Sequence, residues 1–161
     1  MSSTQMTHDQ GTPTPAAAAV DLKLEVIVIP VADVDRAKRF YESLGFRLDA
    51  DFSHGDWRGM QLTPPGSPCS IIFGKGVTPA VPGSVKGLFL IVSDIEAARA
   101  DLKGRGVEVS EPYHLGENGP APGLDPDRRS YNSYATFSDP DGNGFLLQEV
   151  TTRLDGRVWE D

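Results

Sequence analysis

Apolar and polar positions alternate along this chain in two patterns that occur twice in the same order. Residues 22–31 are dense in Val, Ile and Leu with weak alternation, which predicts a strand buried on both faces. Asp33 follows at a helix N-cap position, and Val34, Ala37, Phe40, Tyr41 and Leu44 recur at helical spacing before Gly45 stops the helix. Sixty-one positions later Asp94 repeats the cap, Ile95, Ala98 and Leu102 repeat the stripe, and Gly104 with Gly106 repeats the stop. Because the match extends through hydrophobicity, charge and glycine placement, it reads as an internal duplication.

Each copy continues as strands. Residues 46–52 and 57–63 predict two strands joined by a turn at 53–56, and the breaker Pro64-Pro65-Gly66-Ser67-Pro68 precedes a strand over 69–73. The second copy predicts a strand over 87–92 before its helix and others over 107–114, 131–138 and 145–151. The last two are joined by Asp139-Pro140-Asp141-Gly142-Asn143-Gly144, whose Gly residues supply positive φ for a tight turn. The chain is thus α+β, two βαβββ modules over 21–74 and 86–151, with a Gly/Pro linker over 75–85. Residues 115–129 predict a long loop without secondary structure, a length common in lids and binding loops.

Composition narrows the functional classes. A formal charge of −8 and a pI of about 4.8 argue against nucleic acid or an anionic membrane as partner, since both draw on clustered Lys and Arg. The single Cys69 excludes an internal disulfide and reads as a small packed strand residue. Residues 1–20 are rich in Ser, Thr, Pro and Ala, without a basic start or apolar run, and predict a disordered tail on a cytoplasmic protein. A second short tail is expected over 152–161. Each module is too small to be stable alone, so the two are expected to share a core, within the chain or across a dimer.

The module order, the V-x-D-[VI]-[DE]-x-A helix starts, Phe40-Tyr41 before Leu44-Gly45-Phe46 and the Asp139-Pro140-Asp141-Gly142-Asn143 turn together resemble the vicinal oxygen chelate superfamily. That superfamily includes glyoxalase I, extradiol dioxygenases, fosfomycin-resistance enzymes and bleomycin-binding proteins. The resemblance covers about residues 22–151 and implies a curved mixed sheet around a cleft, together with homodimerisation. It also implies, for enzyme members, a divalent metal held by His, Glu or Gln. The positions it marks for ligands fall here on Val26, Gly87 and Leu146, none of which offers a metal a lone pair. A one-residue shift would reach Glu25 and Glu149, but neighbouring strand residues face opposite ways.

The expectation is therefore a small-molecule-binding protein without metal or other cofactor. Val26, Val28, Trp57, Gln61, Ser70, Phe89, Leu146 and Gln148, together with Ile91, are expected to line the cleft, and Arg129 or Arg128 to fork an anionic ligand. His54, His114 and Glu149 are the candidates for acid–base work, Glu149 only if burial raises its pKa. The alternative is a metal-dependent lyase, isomerase or dioxygenase with ligands at other positions.

Overall fold

The structure is a computed structural model and describes residues 20–157; of the tails expected over 1–20 and 152–161, residues 1–19 and 158–161 lie outside the described residues. Residues Leu24–Thr152 form one compact unit. Its first module runs β1 (Val26–Val28), α1 (Val34–Ser43), β2 (Arg47–His54), β3 (Trp57–Thr63) and β4 (Ser70–Lys75). The second runs β5 (Leu88–Val92), α2 (Ile95–Gly104), β6 (Tyr113–Gly116), β7 (Gly119–Pro122), β8 (Tyr134–Ser138) and β9 (Gly144–Glu149).

The duplication is visible in the caps. Asp33 accepts a hydrogen bond from the Arg36 amide at 3.0 Å, and Asp94 accepts from the amides of Glu96 and Ala97, so each carboxylate satisfies donors that a helix start leaves open. Gly45 and Gly106 close the two helices at φ +89° and +87°, a region that costs a residue with a Cβ.

Each module makes its own sheet with equivalent strand order. The first is β1-β4-β3-β2, with β1 parallel to β4; the second is β5-β9-β8-β6-β7, with β5 parallel to β9. The helix-side faces of both sheets share one core. Tyr41 of α1 is fully buried between them, its ring 5.6 Å from Phe73 of the first sheet and 5.9 Å from Phe145 of the second. A Tyr so placed needs a partner for its hydroxyl. It donates to Asp139 at 2.7 Å, and that buried carboxylate also accepts from Asn143 Nδ2 and from the amides of Asp141 and Asn143. Asn143 Nδ2 donates in turn to the Pro30 carbonyl, and its Oδ1 accepts from the Val85 amide. The turn read from sequence as a hairpin connector therefore also joins the modules.

Three sequence expectations change. The first strand is shorter than residues 22–31, because its pairing partner is the short stretch Ser70–Ile72. The strand expected over 107–114 begins only at Tyr113. Upstream, the Ser110 amide donates to the Thr136 carbonyl, but the Thr136 amide returns to the Ser110 hydroxyl, so a side chain replaces the backbone carbonyl that would continue the ladder. The loop expected over 115–129 is instead partly the β6–β7 hairpin, with Leu115 opposite Pro120 and Gly116 opposite Gly119.

Replacing Tyr41 with Phe keeps the ring and removes one donor to a buried carboxylate. Urea unfolding of Tyr41→Phe is expected to show a stability loss of about 1–3 kcal/mol with an unchanged denaturant slope.

Candidate functional site

Since both helix-side faces are spent on the core, the candidate site must be sought on the outer faces. In the first sheet, Met60, Leu62, Ile71 and Phe73 point into the core, so alternation sends Trp57, Gly59, Gln61, Thr63, Ser70 and Ile72 outward. Val26 and Val28 pair with Ser70 and Ile72 and join them on that face. In the second sheet, Phe145 and Leu147 face the core, which turns Leu146 and Gln148 outward beside Phe89 and Ile91.

The eight strand residues expected to line a cleft thus fall into two groups. Val26, Val28, Trp57, Gln61 and Ser70 make one wall; Phe89, Leu146 and Gln148 make part of another. The shared core separates them, so one chain holds two walls that do not face each other. Both are apolar and open: Phe52 is 64% exposed, Phe89 54%, Val28 41% and Trp57 39%.

A β-bulge shapes the first wall. Leu48 pairs with Leu62 and faces the core, yet Ala50 pairs with Gln61 and faces outward, because the register shifts between them. Such a shift turns every following side chain over. It brings Phe52 onto the outer face beside Gly59, with His54 opposite Trp57. The Trp57 indole lies across Gly59, where an added Cβ would come within 2.3 Å of the ring, and passes close to Gly76. Gly59 is thus the floor of an aromatic platform. The Trp-x-Gly spacing was the available sequence signal, but bulge position is invisible to alternation alone.

On the second wall, Tyr134 pairs with Gln148 on one side and with Tyr113 on the other, and the Tyr113 and Tyr134 rings stack at 5.3 Å. Burial, and then the neighbouring Tyr134, push the Tyr113 phenol pKa upward. The Tyr134 hydroxyl and Gln148 Nε2 both donate to the Tyr131 carbonyl, at 2.7 and 3.1 Å. Tyr131 is held at φ +72° and Arg128 at φ +48°, left-handed conformations that non-glycine residues seldom adopt and that need surrounding support.

That support comes from two ion pairs. Arg129 grips Asp125 with both arms of its guanidinium, at 2.8 and 2.9 Å, and with its own amide. Hydrogen bonds from Arg129 hold the Asp125 carboxyl well below the usual carboxylate range, in spite of its burial. Arg128 forks Glu149 at 2.9 and 2.6 Å and reaches Glu96 at 3.1 Å. Both forks expected to serve an anionic ligand are therefore engaged within the chain.

Glu149 is 1% exposed, lies on the helix side of β9 and accepts from the Ile95 amide at 2.9 Å, adding to the Asp94 cap. The Arg128 hydrogen bonds lower its pKa, the opposite of the rise expected for a base. His114 donates from Nδ1 to the Gly123 carbonyl at 2.8 Å and ties β6 to the residue that follows β7. His54 is exposed beside the Trp57 platform, leaving it the acid–base candidate that reaches a wall.

Among the described residues no three His, Cys, Asp or Glu side chains cluster as a metal site, and no helix is long and apolar enough to cross a membrane. An open groove of about 590 Å³ at the splayed edge between residues 106–110 and the end of β8 is lined by none of the candidate residues.

The match to known proteins now decides the family. Residues 23–147 fit the family model described as the Glyoxalase/Bleomycin resistance protein/Dioxygenase superfamily. The chain belongs to that superfamily. It is similar to TnmS3, an antibiotic binding protein from Streptomyces sp. CB03234, with 32% identity over 83% of this chain and 99% of that one, and a TM-score of 0.65. It is also similar to a glyoxalase/bleomycin resistance protein from the same Streptomyces strain, at 34% identity over 79% of this chain and all of that one, with a TM-score of 0.61. The uncharacterized protein YetH of Bacillus subtilis strain 168 is 26% identical over 132 residues, which is 79% of this chain and 98% of YetH.

The Asp125 and Glu149 carboxylates both have folded pKa values below their ordinary ones. Their stabilisation is therefore full above the ordinary carboxylate range, near pH 4, and is lost as pH falls below it. Melting temperature followed from pH 7 to pH 2 is expected to drop steeply below about pH 4 in the wild type. Asp125→Asn starts lower at pH 7 and falls less over the same interval.

Proposed function

We propose that this superfamily member binds small, largely apolar molecules in a cleft completed by a second copy of the chain, the first-sheet outer face of one copy covering the second-sheet outer face of the other. The observation that carries the reading is the pair of exposed apolar faces. Each is built on regular strands, and each holds about half of a ligand site. Contiguous apolar surface of this kind marks a place where something binds. Covering one face with the other buries both and leaves between them the mixture that small-molecule sites use, aromatic and aliphatic walls with a few polar groups.

The ligand sits between the first-sheet outer face, which runs from Trp57 and Phe52 at one end to Val26 and Ser70 at the other, and the Phe89, Leu146 and Tyr134 surface opposite. The antibiotic-binding description of the similar Streptomyces protein supports sequestration rather than turnover, and His54 alone supplies no base–acid pair for catalysis. Val26 and Leu146 project only carbon onto these faces and Gly87 has no side chain. These residues do not fit the divalent ion of the family's enzymes.

Light scattering on protein eluting from a sizing column tests the assembly, with a dimer expected at micromolar concentration. Phe89→Glu places a charge on the exposed second wall and is expected to weaken dimerisation at least tenfold, an effect of over about 1.4 kcal/mol, with the far-ultraviolet circular dichroism unchanged. A wild-type monomer at tens of micromolar would remove the assembly on which the cleft depends.

A further inference from the structure

One row of side chains crosses the outer face of the first sheet at the end remote from Trp57, about 20 Å away at the usual rise per strand residue. It runs from Arg47 through Asp49 and Thr63 to Ser70, with Val26 beyond. Arg47 Nε lies 2.6 Å from Asp49 Oδ1, Thr63 Oγ1 meets Asp49 Oδ2, and Thr63 Oγ1 lies 2.6 Å from Ser70 Oγ. Thr63 is 4% exposed and Ser70 7%, so bulk water does not compete freely for these hydroxyls.

The protons in this row can be arranged in one way. A guanidinium only donates, and the ionised carboxylate beside it only accepts. Hence Thr63 donates its single proton to Asp49. Having none left for Ser70, it must accept, and Ser70 must donate to it. The Ser70 oxygen then carries lone pairs and no available proton. Among the described residues no group donates a hydrogen bond to it. Chains of this kind polarise their members, so an oxygen whose proton points toward an anion is a better acceptor than an isolated hydroxyl.

We propose that Ser70 makes this wall selective for ligands that present a hydrogen-bond donor, an N–H or O–H, at that end of the site. The inference rests on the cleft reading above and gives it a chemical direction. A ligand carrying an ether or carbonyl oxygen there would set two acceptors against each other and leave both unpaired in a desolvated place. One with a donor completes the row and extends it from Arg47 to the ligand. On the same wall, the Gln61 amide can donate or accept and His54 is exposed to water, so neither imposes such a restriction.

Indole and benzofuran test this directly, because they share size and shape and differ in an N–H against a ring oxygen. Ligand-observed NMR titration of the wild-type protein is expected to give indole roughly tenfold tighter binding than benzofuran, the worth of one hydrogen bond gained against one acceptor left unpaired. Ser70→Ala should bring the two to parity. Thr63→Val frees the Ser70 proton to turn toward the ligand and should narrow the gap by improving benzofuran. Equal affinity of the two probes for the wild type, with the dimer intact, overturns donor selection and leaves the cleft reading standing. Failure of both probes to bind up to their solubility overturns the cleft reading and this inference with it. The wild-type comparison needs no variant, so misfolding of Thr63→Val or Ser70→Ala would not protect the proposal.

Discussion

A single buried carboxylate, Asp139, sits where the two modules meet. It takes a proton donor from the Tyr41 hydroxyl, another from Asn143 and two backbone amides from its own turn, so a charge that would be costly to bury is fully met. The neighbouring Asp141 accepts from Arg36 and from the Ala32 amide, tying the same turn to the start of α1. With Tyr41 held there, both sheets must turn their helix-side faces toward a common interior. The geometry of the candidate site follows from that constraint, because what the core consumes on one side of each sheet determines what remains on the other.

Most of the fold is legible in the amino-acid order because it rests on local rules. A capping Asp, an apolar stripe at helical spacing and a stop glycine are short-range signals, and their repetition is enough to locate both modules. Where the expectation fails, the cause is a competing interaction that alternation does not report. Ser110 supplies a hydroxyl in place of a backbone carbonyl, so the strand after α2 starts late. The hairpin of residues 113–122 is hidden by its Gly and Pro content, since Pro at an edge position costs the ladder little.

The site is less legible than the fold, for a different reason. Period-two alternation groups Val26 with Val28 and Leu146 with Gln148 on one side of their strands, but it cannot see the bulge that turns Phe52 outward or say which partner a charged residue will choose. Arg129 and Glu149 look available in the sequence. In three dimensions each closes a bidentate pair that holds a strained segment, Arg129 on Asp125 and Arg128 on Glu149, beside the left-handed Arg128 and Tyr131. Charged residues near a site are often of this sort: their partners can lie far away in sequence, and only tertiary structure reveals that they are already taken.

The two copies of the module have diverged in how they use equivalent positions. Asp49 and Ser110 lie sixty-one residues apart and so occupy matching places after their helices. At Asp49 the chain bulges yet stays in the sheet, and the carboxylate is free to organise Thr63 and Ser70 on the outer face. At Ser110 the hydroxyl is drawn back to the Thr136 amide, and the chain peels away from β8. One copy has thus turned the position into an electrostatic device on its exposed wall, and the other has used it to open the sheet and admit the β6–β7 hairpin. The second wall then gains Tyr113, stacked on Tyr134, which the first copy has no means to supply. Duplication of a symmetric scaffold has in this way produced two unlike walls, one with an aromatic platform and an acceptor row, the other with stacked phenols and aliphatic side chains. Unlike walls are what a site needs to hold an unsymmetrical molecule in one orientation, because a ligand turned end for end would bring the wrong group to the acceptor row.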